Sequence, residues 1–302
     1  MRKRLLTLLI LSLPALGFSQ YLWDVGGHLG ASNYLGEMGG KDETRKDFIS
    51  DIKLAKTQFT LGAFGRYKFT PLISAKIAGN WVRIEGADYL STNRGRRGRN
   101  LSFQNDIFEL ALTAQVYFYE VPDLGRTYRY RNDFKMYAFA GIAGFYHNPK
   151  TYYNGEVIPL RPLQTEGKSY SAFGAAVPLG LGLYFTLEKK HRIGWEIDWR
   201  TTFTDYLDDV STVYADPADL SSPEAIYFAN RRGELGNRED VPDPENYLPG
   251  AKRGDPSHND SYLSTSVSYS YVIRGRSSFY RSKYGSIFKR KGNKKRKIRA
   301  KF

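Results

Sequence analysis

Residues 172–204 read AFGAAVPLGLGLYFTLEKKHRIGWEIDWRTTFT, two alternating runs joined by a tight polar turn. In the first, Phe173, Ala175, Val177, Leu179, Leu181, Leu183, Phe185 and Leu187 share one face, opposite a row rich in Gly and Ala. In the second, Ile193, Trp195, Ile197, Trp199 and Phe203 oppose Glu196, Asp198, Arg200, Thr202 and Thr204. Period-two alternation marks β-strands. An apolar row backed by a polar or small one is the pattern of a membrane barrel wall.

The same pattern recurs on both sides. Residues 57–69 set Phe59, Leu61, Ala63, Tyr67 and Phe69 against Gln58, Thr60, Arg66 and Lys68. Residues 107–119 set Phe108, Leu110, Leu112, Val116 and Phe118 against Glu109, Thr113 and Gln115, and 262–273 set Leu263, Val267, Tyr269 and Tyr271 against serines. Weaker alternation over 21–33 and 72–85, and an aromatic, glycine-rich run at 134–147 that shows no preferred face, bring the total to eight. An even strand number suits a bacterial up-and-down barrel.

Connection lengths support this topology. Thr70-Pro71 and 188–191 are tight and 121–133 is moderate, whereas 34–56, 88–102, 148–170 and 205–260 are long and polar. Short periplasmic turns, long extracellular loops and both barrel ends on the periplasmic side follow from that rhythm. A soluble β-sandwich would also bury aromatic faces, but has no need of the alternation in loop length. Several runs exceed the ~9–11 residues of a tilted crossing, so some strands are expected to project beyond the bilayer.

Composition fits an exported barrel. Arg2, Lys3 and Arg4 precede a short apolar run and small residues at Gly17 and Ser19, so 1–19 reads as a signal peptide cleaved before Gln20. That run is far below the ~20 residues of a membrane-spanning helix. Mean hydropathy is only −0.50, yet 15% of residues are aromatic; alternating strands produce this combination. With no Cys in the chain, disulfides and thiolate metal sites are excluded. The expected organisation is signal peptide 1–19, barrel 20–273 and a basic periplasmic tail 274–302.

Charge is segregated along the chain. The net charge is +14, but 274–302 alone holds 13 Lys or Arg and no acid, and the span between leader and tail is at −2. Within the tail, Arg290, Lys291, Lys294, Lys295, Arg296, Lys297 and Arg299 are the candidate partner-binding residues. Such a run is expected to stay extended until an anionic surface meets it. An acidic protein, inner-leaflet phospholipid and peptidoglycan carboxylates are the surfaces available; the leader rules out nucleic acid.

Eight strands leave room inside for side chains but not for a channel. The inward row is expected to hold Arg66, Lys68, Lys76, Glu109, Glu196, Asp198 and Arg200 as a paired, structural plug, because an isolated buried charge is costly. Little else suggests chemistry. His28, His147, His191 and His258 show no metal-ligand spacing, no nucleophile motif stands out, and no cofactor is implied. A base and acids meet at one rim only if His147 converges with Asp205, Asp208 and Asp209; the plainer reading is a set of solvated turns. Gly26-Gly27 and Gly39-Gly40 lack the strand-to-helix context of a phosphate loop. Arg94-Gly-Arg-Arg-Gly-Arg99 reads as a surface loop facing lipopolysaccharide. Loop 205–260 carries 13 acids against five bases, with a short helix expected within 216–231.

Several stretches, in order, resemble the PorG-like outer-membrane barrels of the Bacteroidetes type IX secretion system. They are Tyr34-Leu-Gly-Glu37, Arg99-Asn-Leu-Ser-Phe103, Phe139-Ala-Gly-Ile-Ala-Gly-Phe-Tyr-His-Asn-Pro-Lys150, Tyr153-Asn-Gly155 with Leu160-Arg-Pro-Leu-Gln-Thr-Glu-Gly167, Val177-Pro-Leu-Gly-Leu-Gly182 and Thr202-Phe-Thr-Asp-Tyr-Leu-Asp-Asp-Val-Ser211. The likeness runs over roughly 21–273. It implies a non-catalytic barrel tying a periplasmic ring lipoprotein and its partner subunit to the outer membrane, in support of protein export and sometimes gliding. It transfers no binding residues, and the basic tail departs from it. The competing class is a surface or lipid-modifying barrel enzyme.

Overall fold

The computed structural model describes residues 23–38, 54–121, 133–236 and 238–273; the 1–19 leader and the 274–302 tail, with its seven candidate partner-binding residues, lie outside them. Eight long strands form one antiparallel sheet, each paired with its neighbours in the chain: β1 (Trp23–Leu35), β2 (Gln58–Lys68), β3 (Ile73–Ala87), β4 (Ser102–Val121), β5 (Asp133–Tyr146), β8 (Phe173–Leu187), β9 (His191–Thr202) and β10 (Ser261–Ile273). β1 and β10 pair from Trp23↔Ile273 to Leu35↔Ser261, which closes the sheet into a barrel with no free edge. A small hairpin, β6 (Lys150–Tyr153) and β7 (Glu156–Pro159), stands on β4 through Gln104↔Lys150.

All eight expected strands are present, within two residues of their bounds except β4, which begins five residues earlier. At one end the connections are tight. Lys190 N donates to Leu187 O at 3.0 Å across Glu188 and Lys189, both at positive φ, the backbone of a type I′ hairpin turn. At 69–72 the backbone N–H groups of Phe69 and Thr70 both reach Ile73 O. The opposite end carries the long segments, including α1 (Arg94–Arg99) and α2 (Pro223–Ala229). β3 and β4 stay paired from Ile73↔Val116 to Ala87↔Ser102. A strand of 20 residues, as in β4, outruns a ~9–11-residue crossing.

Outward rows are apolar and exposed: Leu29, Leu61, Ile77, Leu110, Leu112, Ile142, Leu179, Leu181 and Val267. Aromatic rings gather at the turn end, where Trp23 meets Tyr67 at 4.6 Å and Phe134 meets Phe185 at 4.7 Å. Others stand nearer the loop end, where Tyr146 meets Phe173 at 5.4 Å. An apolar belt between two aromatic girdles is the exterior of a transmembrane barrel.

β5 turns three of its five rings inward. Tyr137, Phe139 and Phe145 are buried, while Ala140, Ile142 and Gly144 face outward. Opposite them, β8 supplies Gly182, Gly180 and Gly174 in direct register. The glycine row of the first quoted run thus makes room for the neighbouring strand's aromatics. Above Tyr137 and Phe139 the loop-end half of the barrel holds an apolar core of Tyr34, Val82, Ile84, Phe103, Ile107, Phe145 and Tyr262, into which Leu207, Val210 and Phe228 descend from the loops.

Candidate functional site

Arg66, Lys76, Glu109, Glu196, Asp198 and Arg200 all lie inside the barrel, together with Lys68. β9 provides Glu196, Asp198 and Arg200 at alternate positions, β2 and β3 provide Arg66 and Lys76, and β4 provides Glu109. They form two linked clusters along the axis. Toward the turn end, Glu196 accepts from Lys76 Nζ and from the Tyr137 hydroxyl, both at 2.5 Å, with Arg66 Nη2 at 3.8 Å. Arg66 also faces Asp24 at 3.5 Å, and Arg192 meets the same carboxylate at 2.8 Å. Toward the loop end, Arg200 spans Glu109 at 2.7 Å and Asp198 at 2.9 Å. Asn80 and Tyr262 complete Glu109 at 2.5 and 2.7 Å.

The space between the charges is filled by rings. The Arg66 guanidinium lies 5.1 Å from the Tyr184 centroid and 5.5 Å from that of Tyr137, and Lys68 Nζ is 5.1 Å from Tyr117. Paired charges and aromatic packing are what a lumen of this width can hold. Asp24, Arg192 and Tyr137 are members that the sequence reading did not single out. Parity alone would have found two: Asp24 alternates with Trp23 and Val25, and Arg192 is in phase with Glu196. For Tyr137 there is no such signal, because β5 is aromatic on both faces.

The loop end is closed by a folded cap. Asn105 Nδ2 donates to Leu207 O at 2.8 Å, and Leu207 N donates to Asp260 Oδ2 at 3.0 Å. Asp208 and Asp260 flank the Tyr34 hydroxyl at 2.7 and 2.6 Å. Glu166 accepts from Ser211 N, Thr212 N and Thr212 Oγ1 and pairs with Arg253 at 2.9 Å. Burial opposes the Glu166 charge, yet Arg253 and the Ser211 N–H hold the carboxyl below its usual range. Asp209 accepts from Thr165 and Tyr170 at 2.5 and 2.7 Å. Burial lifts it to about 6, Asp208 to about 7 and Asp205 to about 8.

Two expectations are corrected here. His147 does approach the acids, stacking on Tyr170, which donates to Asp209. All four residues are buried, however, rather than set in solvated turns. His147 is held by Asn105 Nδ2 at 3.3 Å from Nδ1, and burial pushes its pKa down to about 4, so the ring is neutral. The arginine tract is likewise divided rather than a uniform surface loop. Asn93 accepts from Arg96 N at 3.1 Å and caps α1. Arg99 at its far end is buried and bidentate to Asp88 at 2.7 and 2.8 Å. Arg94 and Arg97 turn to the backbone at 239–240. Among the described residues, no group of three or more His, Asp or Glu is placed to hold a metal ion.

Five of the six stretches quoted above place residues in this cap: Tyr34, Arg99, His147, Glu166 and 205–211. Residues 3–222 match the model of a family described as a domain of unknown function, DUF6089. No curated protein matches. Solved barrels align over most of their length at low identity. Outer membrane protein OprG of Pseudomonas aeruginosa is 10% identical, with 86% of this chain and 99% of that one covered and a TM-score of 0.40. The N-terminal β-barrel domain of OprF from the same organism gives 9%, 83%, 97% and 0.33. Ail of Yersinia pestis gives 10%, 83%, 99% and 0.34. With scores this low, the architecture rests on the strand pairing described above.

Proposed function

The chain belongs to the DUF6089 family, whose description assigns no activity, and from its geometry we propose a non-catalytic outer-membrane barrel that docks the periplasmic ring of a type IX secretion machine. The observation that carries this reading is the sealed interior. Charges pair across the lumen, rings fill the gaps and a folded cap closes one mouth, so the barrel offers its rims rather than a path. Trp23, Ile273 and the tight turns share one rim, which faces the periplasm by the outer-membrane pattern. There the 274–302 segment meets the ring lipoprotein and its partner subunit. The opposite rim meets lipopolysaccharide. The likeness to PorG-like barrels in the cap stretches supports the choice of machine.

Each Lys or Arg near an anionic surface adds about 1 kcal/mol, screened over roughly 8 Å at physiological salt. The test is truncation after Ile273, beside a variant with Lys294, Lys295, Arg296 and Lys297 changed to Glu. The expected result is a barrel that still inserts but no longer co-purifies with ring subunits, and failed secretion. Unchanged secretion and co-purification would remove the tail as the dock and leave the turns at 70–71, 121–133 and 188–191.

A further inference from the structure

At the loop end a cleft of about 500 Å³ opens between α1, Glu37 and the 242–258 segment. Its volume lies within the ~300–1,000 Å³ of small-molecule sites. Tyr214, Tyr247, Arg99 and Arg253 are buried in its lining, while Asn246, Lys252 and His258 are exposed. Arg99 and Arg253 are committed to Asp88 and Glu166. Two donors of the lining are not committed. The Tyr214 hydroxyl, on a residue 3% exposed, makes no hydrogen bond, and neither does the buried Nη1 of Arg96. Arg96 also forms no ion pair among the described residues.

A buried donor without a partner needs an explanation, and in the wall of an open cleft the simplest one is an occupant. Water can accept from the hydroxyl but brings no charge to the guanidinium, which Glu37 balances only from beyond ion-pair distance. An anionic group suits Arg96, through a charge-assisted bond, and an oxygen of the same ligand can accept from Tyr214. Lys252, 3.8 Å from Asp255, adds a second positive group at the rim. Glu37 and Asp255 lie in the same cleft and are acceptors, suited to hydroxyl groups rather than to a second anion. We propose that this cleft binds an acidic sugar, a hydroxylated ring bearing a carboxylate or a phosphate. The site is at the end of the barrel opposite Ile273, so it stands or falls independently of the docking reading.

The carrier of that sugar is either a free molecule or a lipopolysaccharide headgroup, and the experiment separates them. The full chain in detergent is titrated calorimetrically with galacturonate, glucose 6-phosphate, neutral galactose and purified lipopolysaccharide. Binding of the acidic sugars but not galactose is expected, weakened at least fivefold by Tyr214→Phe and by Arg96→Gln. Among the described residues the Tyr214 hydroxyl and Arg96 Nη1 have no hydrogen bond to lose, so both variants should unfold no earlier than the parent. Binding of lipopolysaccharide alone, with the same dependence on both residues, supports the site and assigns the carrier. No binding of any anionic probe, or binding indifferent to both substitutions, overturns the proposal.

Discussion

The ring of Phe139 occupies the space that a side chain on Gly180 would need: a Cβ there would lie 2.5 Å from its Cζ. The two residues face each other across β5 and β8, and Tyr137 stands to Gly182 in the same way, also at 2.5 Å. A close-packed interior has no slack for the added atoms. Gly182→Val should therefore cost about 1–3 kcal/mol, read as a lower urea midpoint for loss of the folded, heat-modifiable band. Gly144→Ala is the control, since a Cβ there meets nothing within 4 Å. Equal effects from the two would mean that the interior is looser than described.

Those pairings also show where the sequence stops being legible. Strands with one polar and one apolar face declare their orientation through parity, which is why Arg66, Glu109 and Glu196 are readable as inward. β5 does not, because its inward partners are glycines on another strand and its large residues sit on both faces. The cap is less legible still. Asp205, Asp208 and Asp209 look like a solvated acidic turn, and nothing in local spacing reveals that Tyr34, Thr165, Tyr170 and Asp260 close around them from distant segments. Arg99 differs from Arg94 and Arg97 through Asp88, eleven positions earlier, and through the distant Arg253 carbonyl and Glu37.

Glu196 meets Lys76 through Oε2 at 2.5 Å, and through Oε1 it meets Arg66 at 3.8 Å and accepts from the Tyr137 hydroxyl. Glu196→Ala strands Lys76 in the lumen and leaves Arg66 with Asp24 alone. Breaking a buried pair from one side costs about 3–5 kcal/mol, so this variant should show a markedly lower denaturant midpoint or fail to insert. Parent barrels in planar bilayers should give no steady conductance; large, stable currents would contradict the sealed interior.

Arg253 ties the cap to itself through Glu166 at 2.9 Å and the Asp209 carbonyl at 2.6 Å. Arg253→Met leaves the Glu166 charge buried without its cation, again about 3–5 kcal/mol, but the loss falls on the cap alone. Limited proteolysis should cut within 212–260 while the barrel remains heat-modifiable. Adding Glu166→Leu removes the stranded charge and should restore part of the resistance. A variant whose barrel and cap fail together would show that they are one cooperative unit.

Tyr34 has one hydroxyl proton, yet its oxygen lies 2.7 Å from Asp208 Oδ2 and 2.6 Å from Asp260 Oδ1. The phenol can donate to only one of them, so the other contact needs a proton on a carboxyl group. Burial supplies the reason. It raises Asp208 to about 7, with the Glu37 charge adding and Arg99 opposing, and raises Asp260, with Asp208 and Asp205 adding. A carboxyl whose folded pKa is raised stabilises the fold fully below its usual value near 3.8, and that contribution is lost as pH rises through about 7. Asp205 extends the window to about 8. His147 runs the other way: pushed down to about 4 from 6.5, it adds stability as pH rises, but that gain is complete above 6.5. Between about pH 6.5 and 9 the carboxyls alone remain, and the cap should loosen. Amide exchange over 205–211, corrected for its intrinsic pH dependence, should therefore be less protected at pH 9 than at pH 6.5. Asp208→Asn supplies a permanent donor to the Tyr34 oxygen and should flatten the slope. Protection that stays level in the parent chain would mean that no carboxyl proton is shared there.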